Sequence, residues 1–490
     1  MMIVAIDIGT SSVKTALMDF EGHIAKECTQ PVNLHMPEPG AAEHDLDEIL
    51  KNIFKCLKLV VKGFEKKVEA LSFSCYLHGL ALLDQKLNPL TGVLTHLDTR
   101  SAIYQDEVSA HGQKLYMRTG CPPIFVYPLT KLMWARARGF LEKAHAISFV
   151  KDYVIYKLAG IRALDYGTAS GTGLMNIHKL KWDSLALEIA NVDEKILPEI
   201  VEGAKVLDYK SFPDLGLEKT AVVLGSFDGA LQNIGYSVYE DEGVINLGST
   251  AVIRILKKDV VLDKREEMRF FCYYGADGYR TIGAASNNGM TFLEWIRENI
   301  VKSSQWNEFL KMIKEVKACS ENVYVLPFIS GERFPFRDPY LRLTILGVEV
   351  HHKVSHIARA AIEGVGYTLK TALNAMEENG IVIKSLHCGG GGCNLLEVVK
   401  IISNILDKPI TLYSGDVMRM ASALGAMIVA IRALNYVNDI AKAKLDVIIK
   451  SQADVISPEA QLKNVYEKCY EKFLIYVKEL AKTYKSIYKL

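Results

Sequence analysis

MMIVAIDIGTSSVKTALMD, residues 1–19, decides how the rest of the chain is read. Ile3, Val4, Ala5 and Ile6 form an apolar run with no polar face, which predicts a buried strand. The run ends in Asp7, turns through Ile8, Gly9, Thr10, Ser11 and Ser12, and resumes as a second strand from Val13 to Met18. This is a hairpin whose turn is made of glycine and hydroxyl residues. Gly9 permits close backbone approach, and exposed N–H groups in such a turn form a concave anion site. Thr10, Ser11 and Ser12 add neutral donors, and Lys14 adds a cation. Asp7 at the strand end can hold Mg²⁺ through water, as hard cations prefer oxygen. An ordinary hairpin with a polar turn would look the same, so a second copy has to decide.

A second copy is present. Residues 243–252, GVINLGSTAV, again read strand, turn and strand, with Gly248, Ser249 and Thr250 in the turn. Neither copy is a P-loop, which needs G-x-x-x-x-G-K-[ST] leading into a helix, nor a G-x-G-x-x-G dinucleotide loop. The first turn resembles the phosphate loop of the sugar kinase, actin and chaperone ATPase superfamily, whose members carry such a repeat.

The 490 residues are too many for one core and suit two domains. With 58 basic and 57 acidic residues the net charge is +1, so no broad field favours nucleic acid or an anionic membrane. No apolar run approaches the ~20 residues of a membrane span, and residues 1–19 lack the pattern of a signal peptide. The nine cysteines form no C-x-x-C pair and read as buried small hydrophobes in a reducing compartment. A cytoplasmic location is expected. The Lys- and Ile-rich usage hints at a thermophile.

Polar residues at strand ends are where open α/β sheets place ligands. A strand over residues 68–73 leads to His78, Gly79 and Leu80, and the apolar residues 91–97 lead to Asp98 and Arg100. His78 could equally be a satisfied core histidine, and Arg100 with Asp98 a plain ion pair. Residues 222–230, VVLGSFDGA, run from strand to helix and put Asp228 at the start of that helix, either as a cap or facing an interdomain cleft. Asn287, Asn288 and Gly289 head another helix. Four glycines at 389–392, between a strand and an apolar helix, let backbone lie against a flat or anionic ligand. Beyond about residue 438 the chain turns Lys-rich and helical, with an apolar stripe from Val465 to Tyr488 that docks the tail on the body.

With both turns, Asp228 and the glycine run in this order, the chain resembles an FGGY carbohydrate kinase from end to end. Residues 127–134 resemble the family's first signature, and residues 347–363, with His356, Ile357, Ala360 and Glu363, its second. The resemblance implies two actin-like, ribonuclease H-like α/β ATPase domains around a cleft. A sugar-binding domain would span residues 1–236, a nucleotide-binding domain 237–435 and a helical tail 436–490. It implies ATP and Mg²⁺, with phosphates held by Thr10, Ser11, Ser12, Lys14, Gly248, Ser249 and Thr250, and adenosine by Gly390, Gly391, Gly392 and Asn394. Asp228 would accept the hydroxyl proton and share the metal with Asp7. His78, Gly79, Asp98, Arg100, Asp228 and Asn288 would bind a small sugar or sugar acid.

His78-Gly79-Leu80 resembles xylulose kinases, although Tyr76-Leu77 stands where those carry Gln-Met. Residues 97–101, 165–178, 226–229 and 286–289 resemble gluconate kinases. Gluconate is the expected substrate, with Arg100, His78 and Asn288 as groups for its carboxylate, and xylulose or another pentulose is the alternative. A homodimer is compatible with the resemblance, since such relatives often pair through the second domain. A non-catalytic nucleotide switch would keep the turns but need no base, and the presence of Asp228 speaks against it. A dehydrogenase fails for want of G-x-G-x-x-G spacing.

Overall fold

The two turns close matching hairpins in two separate sheets. The structure, a computed structural model, describes residues 1–443 and 445–488. Strands β1 (Met2–Ile8), β2 (Ser12–Asp19), β3 (Ile24–Pro31), β4 (Val68–Cys75), β5 (Val206–Phe212) and β6 (Leu217–Phe227) form a six-stranded sheet ordered β5-β6-β4-β1-β2-β3. Strands β7 (Glu242–Leu247), β8 (Ala251–Lys257), β9 (Phe271–Tyr274), β10 (Arg280–Ser286), β11 (Ser385–Gly389), β12 (Ile410–Tyr413) and β13 (Gln452–Ile456) form a seven-stranded one ordered β9-β10-β8-β7-β11-β12-β13. In each sheet an antiparallel hairpin (β1–β2, β7–β8) lies beside two parallel strands (β4 and β6, β11 and β12). The repeat read from two short turns is therefore a repeat of whole sheets.

The period-two alternation of β1 feeds two different cores. Val4, Ile6 and Ile8 face helix α1 (Leu46–Val61), which buries Ile49, Ile53, Leu57 and Val60. Asp45 caps that helix by accepting the N–H groups of Asp47 and Glu48 at 2.7 and 3.2 Å. Helices α2 (Pro128–Ala137) and α3 (Lys151–Ala159) come later in the first half, and α4 (Asp228–Gly235) follows β6. The second half adds α5 (Val354–Glu378), α6 (Leu396–Leu406), α7 (Gly415–Ala433) and α8 (Lys463–Ile487). The other face of β1 and its neighbours is small, with Ala5, Ala16, Ala70 and Ala221, and against it lies α7. The contact is close enough that Ser72 Oγ donates to Ala426 O at 2.7 Å.

Helices α4 and α7 touch backbone to backbone. A Cβ on Gly425 would lie 2.0 Å from Leu231 O, and one on Gly235 1.9 Å from Ala421 O. Only glycine fits at either position. The helix that follows β6 in the first half is thus locked against one from the second.

Two expectations are corrected. The cysteines are not simply apolar filler: Cys28–Cys56, Cys319–Cys469 and Cys388–Cys393 are disulfides, and Cys75, Cys121 and Cys272 are free and buried. Sequence separations of 28 and 150 residues carry no local signal of pairing, and the pairs remove the cysteine argument for a reducing compartment. Nor is the tail all helix, because β13 adds an edge strand to the second sheet by pairing with β12. Its α8 buries Tyr466, Cys469, Tyr470, Phe473 and Val477, with Phe473 5.2 Å from Tyr367 of α5. Of the residues assigned to the tail, Lys444, Lys489 and Leu490 lie outside the described set. No helix of the described residues is long and apolar enough to cross a membrane.

Candidate active site

The first turn is closed by Gly9 N–H donating to Ser12 O at 2.9 Å, which leaves Thr10 and Ser11 exposed. Lys14 stands opposite Asp7 across the hairpin. The second turn is closed by Gly248 N–H to Thr250 O at 3.1 Å. It is braced by the loop at Gly289, whose N–H reaches Ser249 O at 3.2 Å. The glycine run packs on the end of β7 just before that turn. Gly390 has φ +87°, and a Cβ there would sit 2.7 Å from Leu247 O, so a side chain is excluded on two grounds.

Asp7 and Ser226 both pair with Ser74 of β4, so Asp7 and Asp228 emerge from the same sheet edge two strands apart, about 10 Å between backbones. Burial raises the Asp7 pKa against a 2.6 Å hydrogen bond from Ser74 and the charges of Lys14 and Lys151. Burial and then repulsion by Asp7 push Asp228 up to about 6, opposed by Arg254, the Gly229 N–H and Lys151. Two mutually repelling carboxylates beside exposed hydroxyls are an all-oxygen donor set of the kind that suits Mg²⁺. The groups present therefore fit that ion.

Two buried cations support Asp228. Lys151 Nζ donates to Asp165 at 2.6 Å and to Leu224 O and Ser226 O at 3.1 and 2.7 Å. These bonds fix an irregular stretch of β6 in which Gly225 has φ +66°. Arg254 of β8 reaches under α4, where its Nη1 would lie 2.8 Å from a Cβ on Gly229. It donates to Gln232, whose Nε2 donates to Asn246 at 3.2 Å.

A second cluster of polar and aromatic groups lies where the halves meet. His78 has φ +71°, and its Nδ1–H donates to Gly171 O at 2.8 Å, which leaves Nε2 as an acceptor. Burial, then the charge of Arg333, holds its pKa well below the usual value, so the ring is neutral. Lys131 Nζ pins the same turn by donating to His78 O, Leu94 O and Thr95 O at 2.5, 3.2 and 2.7 Å. Tyr127 and Tyr273 flank His78, edge-on at 5.1 and 6.4 Å and joined hydroxyl to hydroxyl at 2.6 Å. Phe227, next to Asp228, packs on Tyr273 at 5.9 Å and so links this cluster to the carboxylates.

Residues 2–235 match the N-terminal domain, and residues 245–434 the C-terminal domain, of the FGGY family of carbohydrate kinases. The chain belongs to that family. The kinase is 30% identical over 397 residues to a gluconokinase of Bacillus subtilis, covering 77% of each chain. It is 26% identical over 426 residues to a xylulose kinase of Lactococcus lactis, covering 83% of each. Its structure superposes on that of a gluconate kinase from Lactobacillus acidophilus with a TM-score of 0.92, 26% identity and 99% of both chains.

Three of the kinase's expected sugar-side residues are committed elsewhere. Arg100 pairs with Asp98 at 2.6 Å, with Glu38 at 2.7 Å and with Glu43, and stacks on Trp134 at 4.4 Å. A guanidinium held by three carboxylates is no free cation for a substrate, and buried Asp98 is spent on it and on Ala42 N–H. Asn288 donates to Gly331 O at 2.8 Å and Glu332 at 3.0 Å and accepts from Ser330 N–H, so it braces that loop. Gly79 acts only by fitting: a Cβ would meet Val150 at 2.9 Å. The residues that sequence reading missed are Lys151, Arg254, Tyr273 and Arg333. The stretch 326–336, LPFISGERFPF, is conspicuous but offers no spacing that would give Arg333 a partner.

Proposed function

We propose that this kinase transfers the γ-phosphoryl group of Mg-ATP to gluconate, giving 6-phosphogluconate. The observation that carries the reading is the 30% identity to a gluconokinase over 77% of the chain. The cluster where the halves meet supports it, with a neutral histidine acceptor for a hydroxyl of a polyol. Asp228 takes the proton of the attacking hydroxyl as the new O–P bond forms and the bond to the β-γ bridging oxygen breaks. His78 Nε2 accepts from a sugar hydroxyl and orients it. Thr10, Ser11, Ser12, Lys14, Gly248, Ser249 and Thr250 hold the phosphates, and Gly390, Gly391, Gly392 and Asn394 border the nucleoside. Asp7 and Asp228 would hold Mg²⁺, which neutralises phosphate charge. Residues 1–236 would serve the sugar and 237–435 the nucleotide.

A xylulose kinase is the second reading, favoured by His78-Gly79-Leu80 and by the Lactococcus relative. Coupled ADP release with Mg-ATP against gluconate, xylulose, ribulose, glycerol and no sugar decides between them. Strong turnover with gluconate alone is expected. Preference for a ketopentose replaces the first reading with the second.

A further inference from the structure

The face of β7 and β8 that packs on α4 is apolar at Val244 and Leu256, which lie with Leu231 and Ile234. Period-two alternation puts Asn246 and Arg254 on that same face, so two polar side chains enter a contact that apolar ones would fill.

Arg254 carries only donors. Its Nη2 donates to Gln232, so the amide oxygen of Gln232 faces it and the Gln232 NH2 group points away. That NH2 group donates to Asn246 Oδ1 at 3.2 Å. Asn246 is left to present its own NH2 group at the far end. One guanidinium thus fixes the orientation of two successive amides, and the group that emerges is a donor.

The far end is the nucleotide side of the cleft. Asn246 Nδ2 lies 3.2 Å from where a Cβ on Gly248 would stand, at the head of the second turn. It has no hydrogen-bond partner among the described residues. Asn246 Oδ1 lies 3.0 Å from the corresponding point on Gly390, and Asn246 pairs with Gly389 in the sheet. Glycines also make room for the relay. A Cβ on Gly229 would stand 2.8 Å from Arg254 Nη1, and one on Gly389 would collide with Gln232 Nε2. Asn246 is wedged between the Gly248–Thr250 turn and the glycine run, with an unpaired donor beside the turn.

We propose that Asn246 Nδ2 donates to a phosphate oxygen of the bound nucleotide, and that Arg254 and Gln232 are positioning residues that hold its amide in the donating orientation. This rests on the reading that the Gly248–Thr250 turn receives the phosphates. An anionic oxygen suits an NH2 donor at such a turn, because it accepts a shorter and stronger hydrogen bond than a neutral one.

Calorimetric titration of the intact chain, with Mg²⁺ present, against β,γ-methylene ATP and against adenosine tests this without turnover. In Asn246→Ala the affinity for the ATP analogue is expected to fall about ten- to a hundredfold, while that for adenosine changes less than about twofold. Asn246→Asp keeps the shape and replaces the donor by an anion, so its loss on the analogue should exceed that of Asn246→Ala. Gln232→Glu keeps the bond from Arg254 but has no NH2 group to donate, which frees the Asn246 amide to turn over. Affinity for the analogue should then fall about tenfold. The same substitution should matter less than about twofold where Asn246 is already alanine.

Equal losses on the analogue and adenosine would overturn the contact, since Asn246 would then touch the nucleoside or merely support the sheet. So would no loss on either, or an Asn246→Asp loss no larger than that of Asn246→Ala. Additive losses for Gln232→Glu and Asn246→Ala would overturn the relay. If Asn246→Ala does not fold, Asn246→Asp and Gln232→Glu decide by the same comparison of two ligands. A wild type that binds the analogue no more tightly than adenosine overturns the phosphate reading of the turn itself, and is seen before any variant is made.

Discussion

Asp228 sits where its own charge is unwelcome, withdrawn from water and repelled by Asp7, which is why its pKa rises to about 6. Asp228→Asn should lower kcat by roughly 1,000-fold while ATP binding by calorimetry stays within a few-fold. The sign of the shift gives two further outcomes. As the proposed base, Asp228 takes up its proton as pH falls through about 6, so kcat/KM should drop tenfold per pH unit below that value. The folded state also holds this proton more tightly than the unfolded chain, so the ionised carboxylate costs stability above pH 6. Asp228→Asn should therefore raise Tm at pH 7.5, by calorimetric scanning, even as it abolishes turnover. The position of Asp228 at the start of α4 was legible because a strand running into Asp-Gly and a helix leaves few other places for that side chain. Arg100 misled for the opposite reason. Its partners Glu38 and Glu43 come from a loop some sixty residues earlier, and sequence gives no hint that they converge on it.

Among the elements, β6 shows how a scaffold aims a side chain. Its irregular stretch at Gly225 would lose the bonds to Leu224 O and Ser226 O without Lys151, whose partner Asp165 is equally buried. Lys151→Met should cost about 3–5 kcal/mol in urea unfolding, because it strands a buried carboxylate. Asp165→Asn in the same background should recover part of that loss. Both hairpins were readable from residues because apolar run, Gly-hydroxyl turn and apolar run leave little choice. The edge strand β13 was not, since its hydrogen bonds come from β12, some forty residues away, and its own composition is ordinary. The three disulfides were hidden in the same way, by proximity that only the folded chain creates.

At the scale of the molecule, the α4–α7 contact joins the two sheets through facing glycines. Gly425→Ala puts a methyl group 2.0 Å from Leu231 O, so the helices must separate. A loss of about 1–3 kcal/mol in denaturant unfolding is expected, with a fall in kcat as the two phosphate turns lose their spacing. Family membership and the two-sheet plan could be inferred from motif order. The exchange of helices could not, because Ala5, Ala16, Ala70 and Ala221 lie far apart in the chain and form a face only in the sheet.

That exchange also bears on how the gene can be cut. The first sheet gets one of its walls, α7, from residues 415–433, so a fragment ending near residue 236 would carry a bare stripe of alanine and isoleucine into water. The remaining fragment would hold α7 with the face that covers the first sheet laid bare. Expressed alone, either piece is poised to aggregate; made together in one cell, each is the other's missing surface.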